Sequence, residues 1–213
     1  MTKKFLFRLH VRSASWLRNF AQATQGIAAV EFALIVPIMS MLFIGAVEMS
    51  QAVTVNRRVT QVGSTTGDLV ARADANISST DIVDIMKVGG YLMSPFPANT
   101  LKVDISVVSS TAASATDTKR KWVCSYDGAN PSTVSCTCPN TTYTIPAGLL
   151  STSDSIVIAN VQYGYKPALF DVFMKSSYGG TGGVYTMIEN VYLKPRAACP
   201  QITKSDSTTC GCQ

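Results

Sequence analysis

The sequence predicts an α+β protein, with a long N-terminal transmembrane helix followed by a small domain that holds an antiparallel β-sheet and disulfides. Three observations predict it. An apolar run fills residues 27–47, alternating apolar and polar residues recur in short stretches after residue 100, and all six cysteines lie in the second half of the chain. Helical patterns come first and strand patterns follow, the order expected when helices pack on one side of an antiparallel sheet.

Composition narrows the class. A chain of 213 residues suits one domain plus an anchor. The 15% charged and 46% hydrophobic residues argue against disorder of the whole chain. The net charge of +5 is local: Lys3, Lys4, Arg8, Arg12 and Arg18 precede the first acid, Glu31, and from residue 26 onward 13 bases meet 13 acids. A basic tip beside a neutral remainder fits topology setting rather than a nucleic-acid-binding face. The expected organisation is a basic cytoplasmic leader (1–26), a transmembrane helix (27–47), a helical extension or stalk (48–75) and an exported α+β domain with six cysteines (76–213).

Residues Ile27 to Val47 read IAAVEFALIVPIMSMLFIGAV. At ~1.5 Å per residue this run reaches ~31 Å, about one hydrocarbon core. Glu31 and Pro37 are unusual inside a plain anchor. A buried core helix would leave the charge asymmetry unexplained: five cations before the run, and only Arg57 and Arg58 soon after it. That asymmetry keeps the basic end in the cytoplasm. A cleaved signal peptide is the competitor, with Ser50 and Ala52 as a small-x-small site. Its leading segment would be too long, and its apolar stretch would exceed the usual ~7–15 residues.

Helical spacing continues past the run in Val55, Val59, Val62, Leu69 and Ala73, one apolar stripe. Gly63 and Gly67 would permit a close approach, either to a partner helix or to the protein's own domain. Asn76 to Thr80 reads as a polar break. Ser79 or Thr80 would cap a short helix, DIVDIMKV, ending at Gly89–Gly90. Strands are expected at residues 101–109, 121–126, 133–138, 155–165 and 184–194, and the SSYGGTGG stretch, 176–183, is expected as a flexible loop.

Cys124, Cys136, Cys138, Cys199, Cys210 and Cys212 are an even set on the translocated side, which reads as disulfides. Six cysteines allow ~15 pairings, and excluding a bridge within either C-x-C pair leaves ~10. A hairpin bridge from Cys124 to Cys136 or Cys138 fits across the DGANPS turn, with Cys199 helping to tie down the CGC tail. Metal binding is the rival, but zinc ligands favour wider spacings and often include His. The one histidine, His10, lies in the leader. No metal and no cofactor are expected.

Catalytic patterns are missing as well. Without His beyond the anchor, a Ser-His-Asp or Cys-His site cannot form there, and no P-loop, GxGxxG or HExxH pattern occurs. Asp104, Asp117, Asp127, Asp154 and Asp171 are scattered, and read as surface or turn residues. Tyr163, Tyr165 and Tyr192 read as sheet packing. An enzyme is not expected, nor a small-molecule substrate.

Three stretches carry a family resemblance. Gly26-Ile27-Ala28-Ala29-Val30-Glu31-Phe32, at the junction of a basic leader and an apolar helix, resembles the processing site of type IV pilin-like proteins. The longer stretch to Gln51, with Pro37 and a second acid at Glu48, resembles the TadE-like family of the Tad (tight adherence, Flp) pilus apparatus. VQYGYKPALF, 161–170, and YLKPR, 192–196, resemble two strand ends of that family. Phe32 departs from the Tyr of many pilin-like proteins, and the six-cysteine region lies outside the pattern.

The resemblance implies a pseudopilin or minor pilin of the bacterial inner membrane, with its C-terminal domain in the periplasm. A prepilin peptidase would cut between Gly26 and Ile27. Glu31 and Phe32 would serve assembly with other pilins or pseudopilins and the inner-membrane assembly platform. A lone carboxylate in a bilayer costs ~2.5–3.5 kcal/mol on insertion scales. That cost falls if Glu31 meets a neighbouring subunit's freed Ile27 amine, or if it snorkels to the interface. The alternatives are a signal-anchored exported binding module unrelated to pili, and a metal-binding or enzymatic ectodomain.

Overall fold

A computed structural model of the protein describes residues 26–167 and 183–211. The basic leader up to Gln25, Asp171, most of the 176–183 loop, the end of the VQYGYKPALF stretch and Cys212 lie outside the described residues. The chain forms two compact units, residues 1–47 and 48–213.

The first helix, α1, spans Ile27–Arg72 and has Pro37 inside it. Its first part is apolar enough to cross a membrane, with a mean hydropathy of 2.4 over the best window and none of that window buried. Proline is tolerated in such helices because nearby hydroxyls and tertiary contacts adjust the local hydrogen bonding. Ser40 Oγ donates to the Pro37 carbonyl at 2.9 Å, whereas the carbonyl that the proline leaves without its helical donor is that of Ala33.

The second unit starts at Glu48 and takes the rest of α1 into its core. This stretch is rich in Val and Thr, with two glycines, so its intrinsic helix propensity is poor and packing must hold it. Val55, Val59, Val62, Thr66 and Val70 are buried, with Gly63 and Gly67 beside them. The buried line therefore turns away from Leu69, which is 40% exposed. Thr66 satisfies its hydroxyl by donating to the Val62 carbonyl at 2.7 Å. The glycines face the sheet rather than a second helix. A Cβ on Gly63 would meet Val191 Cγ2 at 3.1 Å, and one on Gly67 would meet Leu193 Cδ1 at 2.5 Å.

α1 ends three residues before the expected limit, and the expected polar break holds a short strand, β1 (Asn76–Ser78). The next helix, α2, runs Ser79–Leu92. Its N-cap is Ser78, not Ser79 or Thr80, because only Ser78 completes a capping box with Asp81 three residues on. The helix also passes through Gly89–Gly90 instead of stopping there. Gly89 is a contact point: a Cβ on it would lie 3.1 Å from Val62 Cγ1 of α1.

The main sheet holds β2 (Leu101–Ser110), β3 (Thr118–Asp127), β4 (Val134–Thr137), β5 (Thr141–Thr142), β6 (Ser155–Tyr165) and β7 (Tyr185–Leu193). Its order is β4-β3-β2-β6-β7, with β5 beside β3, and every pairing is antiparallel. β6 matches its expected bounds, β2, β3, β4 and β7 differ from theirs by one to three residues at an end, and β5 was not expected. A register shift at Val107/Val108 interrupts the β2–β3 ladder.

Alternation along the strands sorts the two faces. Leu101, Val103, Ile105 and Val107 of β2, with Val157, Ala159, Val161 and Tyr163 of β6, join the core that includes α1 and α2. Trp122 of β3 is fully buried in the same core, and its indole N–H donates to the Pro200 carbonyl at 2.8 Å. On the opposite face, Val108, Ile156 and Ile158 are covered by Tyr143, Ile145 and Leu150. Asn160 and Asn190 bond across the strands at 2.6 Å on that face.

A second small sheet has the order β1-β8-β9, with β8 (Gln201–Thr203) parallel to β1 and β9 (Thr209–Cys210) antiparallel to β8. Sequence reading passed over it because strands of two or three residues show too little alternation to register.

Candidate assembly helix and membrane-boundary carboxylate

The residues expected to carry assembly sit at the start of α1. Gly26 immediately precedes the helix, and a Cβ placed on it would have nothing within 4 Å. Ile27 is 58% exposed, Glu31 is exposed, and Phe32 is 70% exposed. Glu31 and Ile27 are four residues apart, so they share one helix face. Leu34, Ile38, Met41 and Leu42 are also exposed along this unit. In water such a surface would be an unshielded apolar area, whereas in a bilayer it is the ordinary lipid-facing surface of a spanning helix. The helix fits a single-pass membrane anchor.

A second acid, Glu48, belongs to the other unit. Its residue is only 7% exposed, and its Oε2 accepts the Tyr165 hydroxyl at 3.3 Å. The bond joins positions 117 residues apart. It thereby links two of the stretches that carried the family resemblance, the end of the apolar helix and VQYGYKPALF. Sequence reading treated them separately and placed Tyr165 in sheet packing alone. The signal available was an acid at the end of the apolar run and a tyrosine in the inward register of β6. Burial pushes the Tyr165 phenol above its ordinary pKa, and the charge and hydrogen bond of Glu48 push it further in the same direction. Tyr163 is likewise raised by burial, and its hydroxyl donates to the Pro97 carbonyl at 3.1 Å. Tyr192, by contrast, is 36% exposed.

Among the described residues the cysteines are spent on cross-links. Cys124 of β3 bridges Cys136 of β4, its direct partner in the antiparallel register. Cys138 bridges Cys210 of β9, tying the C-terminal strand to the main sheet's edge segment. Cys199 is disulfide-bonded as well. Neither described bridge lies within a C-x-C pair. A bridged cysteine cannot supply the thiolate a zinc site requires, and among the described residues no group of three or more His, Cys, Asp or Glu is placed to hold a metal ion.

Asp154 is the acid with the clearest partner. It pairs with Lys194 at 2.8 Å and accepts the Ser155 N–H at 2.9 Å. The Lys194 hydrogen bond holds its carboxyl below the usual aspartate range. Lys194 itself is 75% exposed, which marks a surface tie between the β6 entry and the β7 exit rather than a catalytic pair.

A family model described as TadE-like protein matches residues 26–67, starting at Gly26 and covering most of α1. The match takes in Glu31, Pro37, Glu48, Gly63 and Gly67. No curated protein and no solved structure matches the chain. A segment similar to TadE-like proteins thus leads a disulfide-bearing α+β domain.

Proposed function

We propose that this protein is a pseudopilin or minor pilin-like component of a Tad pilus assembly apparatus, with a structural role in pilus biogenesis and adhesion. The TadE-like match to residues 26–67 carries the reading. Its first residue is the glycine at which a basic leader meets an apolar helix. A prepilin peptidase would cut after Gly26 at the cytoplasmic face of the inner membrane. The shortened helix, beginning at Ile27, would then join other pilins or pseudopilins on the assembly platform. The disulfides support an exported location, because such bridges persist in oxidising compartments such as the periplasm.

Glu31 supports the same reading through energetics. An exposed carboxylate near the start of an apolar helix is costly in lipid and becomes less so beside a cation. The amine created at Ile27 of a neighbouring subunit is such a cation. Complementation of a deletion strain tests the function. The wild-type chain should restore surface pili, and Glu31→Gln should reach the membrane at normal levels yet fail to restore them. Normal piliation in the deletion strain itself would overturn the proposal.

A further inference from the structure

The two described bridges differ in what brings their sulfurs together. Cys124 and Cys136 are 12 residues apart and face each other across the β3–β4 ladder. The register that sets Cys136 opposite Cys124 carries Cys138 past the end of β4. Hairpin formation therefore settles which of the two cysteines Cys124 takes, and it sends Cys138 to a distant partner. That partner is Cys210, 72 residues on. Cys199 comes earlier in the chain and is passed over, since it is bridged but not to Cys138. The folded chain holds the chosen and the rejected sulfur in different clefts. Cys138 and Cys210 line one with Gln201 and Thr209, and Cys199 lines another with Ser109 and Ser155.

What enforces the choice is the docked C-terminal segment. β8 pairs with β1, the Trp122 indole donates to the Pro200 carbonyl, and the Ser155 hydroxyl donates to the Ala198 carbonyl. Each contact joins residues far apart in sequence, so none can guide Cys138 while that segment is still arriving. A chain fed across a membrane from its anchored end presents Cys199 first, and Cys210 follows 11 residues later. Loop-closure entropy hardly separates the two, because it grows only with the logarithm of loop length. Cys138 is exposed, so its sulfur is open to whichever thiol comes first and to later exchange. Cys124, by contrast, is fully buried once the hairpin has packed. The earliest long-range bridge open to Cys138 is thus a non-native one.

We propose that the protein is a substrate of a thiol–disulfide isomerase, which moves Cys138 from a first bridge with Cys199 to its native bridge with Cys210. The proposal rests on the exported reading of the C-terminal unit, and its test separates the two. The isomerase thiolate attacks the Cys138 sulfur, the Cys138–Cys199 bond breaks, and Cys199 leaves as a thiolate that takes a proton from water. The Cys210 thiolate then attacks the same sulfur and releases the isomerase thiolate. One bridge is broken and one is made, so no oxidant is consumed. For the test, the full-length chain is produced in two bacterial strains, one with a periplasmic isomerase and one without, both retaining the enzyme that oxidises thiols. Membrane extracts are alkylated at once and digested without reduction, and the bridged peptides are quantified by mass spectrometry. Without the isomerase, the Cys138–Cys210 peptide should fall several-fold and a Cys138–Cys199 peptide should appear, while Cys124–Cys136 stays constant. A chain carrying both Cys199→Ser and Cys212→Ser keeps only the four cysteines of the two described bridges, and its Cys138–Cys210 yield should be equal in the two strains. Equal native bridges in both strains for the wild-type chain would overturn the isomerase proposal and leave the exported reading standing. A mispair other than Cys138–Cys199, or continued dependence on the isomerase in the four-cysteine chain, would overturn Cys199 as the rival and the proposal with it. Fully alkylated thiols in both strains would overturn the exported reading and the proposal together.

Discussion

Tyr165 and Glu48 make the most informative single contact. Tyr165→Phe removes the hydroxyl and leaves a buried carboxylate without that donor, at a cost of about 1–3 kcal/mol. Chemical denaturation of the detergent-solubilised chain should show that loss. No change in midpoint would mean that water or another group replaces the phenol without penalty. The phenol's raised pKa has a second consequence. Its folded-state value lies above its unfolded one. The stability it contributes is therefore fully present below the unfolded phenol range and is lost as pH rises from there through the folded value. Alkaline unfolding should begin near pH ~10 and be shallower in Tyr165→Phe. Asp154 works in the opposite direction. Its depressed pKa contributes stability above the ordinary aspartate range, and that stability is lost as pH falls through the folded value.

At the scale of elements, the helix-to-sheet approach and the cross-links decide stability. Gly67→Ala gains up to about 1 kcal/mol in helix propensity. It also drives a methyl against Leu193 and Ala159, and overpacking of this kind costs about 1–3 kcal/mol. The net change should be destabilising in thermal melts, and Gly67→Val should be worse. A stabilised Gly67→Ala would show that Leu193 moves aside freely. The two described bridges close loops of unequal length, with sequence separations of 12 and 72. On chain-entropy grounds the first is worth about 3 kcal/mol and the second about 4 kcal/mol. Paired alanine replacements should therefore unfold the Cys138/Cys210 variant at lower denaturant than the Cys124/Cys136 variant, unless the cavity at fully buried Cys124 reverses the order.

Legibility followed physical strength element by element. β6 was readable to the residue, because SIVIANVQYGY opens on an apolar run buried on both faces and alternates from Ala159 onward. The middle of α1 was readable as a helix, but its buried direction was not. Thr66 joined the core by bonding its hydroxyl to its own backbone, which a hydropathy stripe cannot anticipate. The end of α2 was misjudged because glycine serves close packing as well as helix termination, and Gly89 serves packing. The small sheet of β1, β8 and β9 depends on contacts between residues far apart in sequence, so no local pattern announced it.

For the whole molecule, topology and maturation are linked by one charge pattern. The five excess cations of the chain all precede Glu31. That placement should hold the leader in the cytoplasm and send the remainder across. Alkaline phosphatase fused after Arg72 should be active, and an inactive fusion beside an active cytoplasmic reporter at the same position would reverse the orientation. Gly26, Ile27, Glu31 and Phe32 were named from the sequence alone. The Glu48–Tyr165 contact was not, because it exists only once β6 has folded against α1.

The central claim is that α1 is an assembly helix released from its leader, and the N-terminus of the mature chain tests it most directly. Protein extracted from membranes should be sequenced from its amino end, alongside a Gly26→Leu variant. The account predicts a wild-type start at Ile27, with the leader retained in the variant because bulk at position 26 crowds the scissile bond. A wild-type start at Met1 or Thr2 would leave a plain anchor, and a start at Val53 would make a secreted protein. Either start would contradict the account.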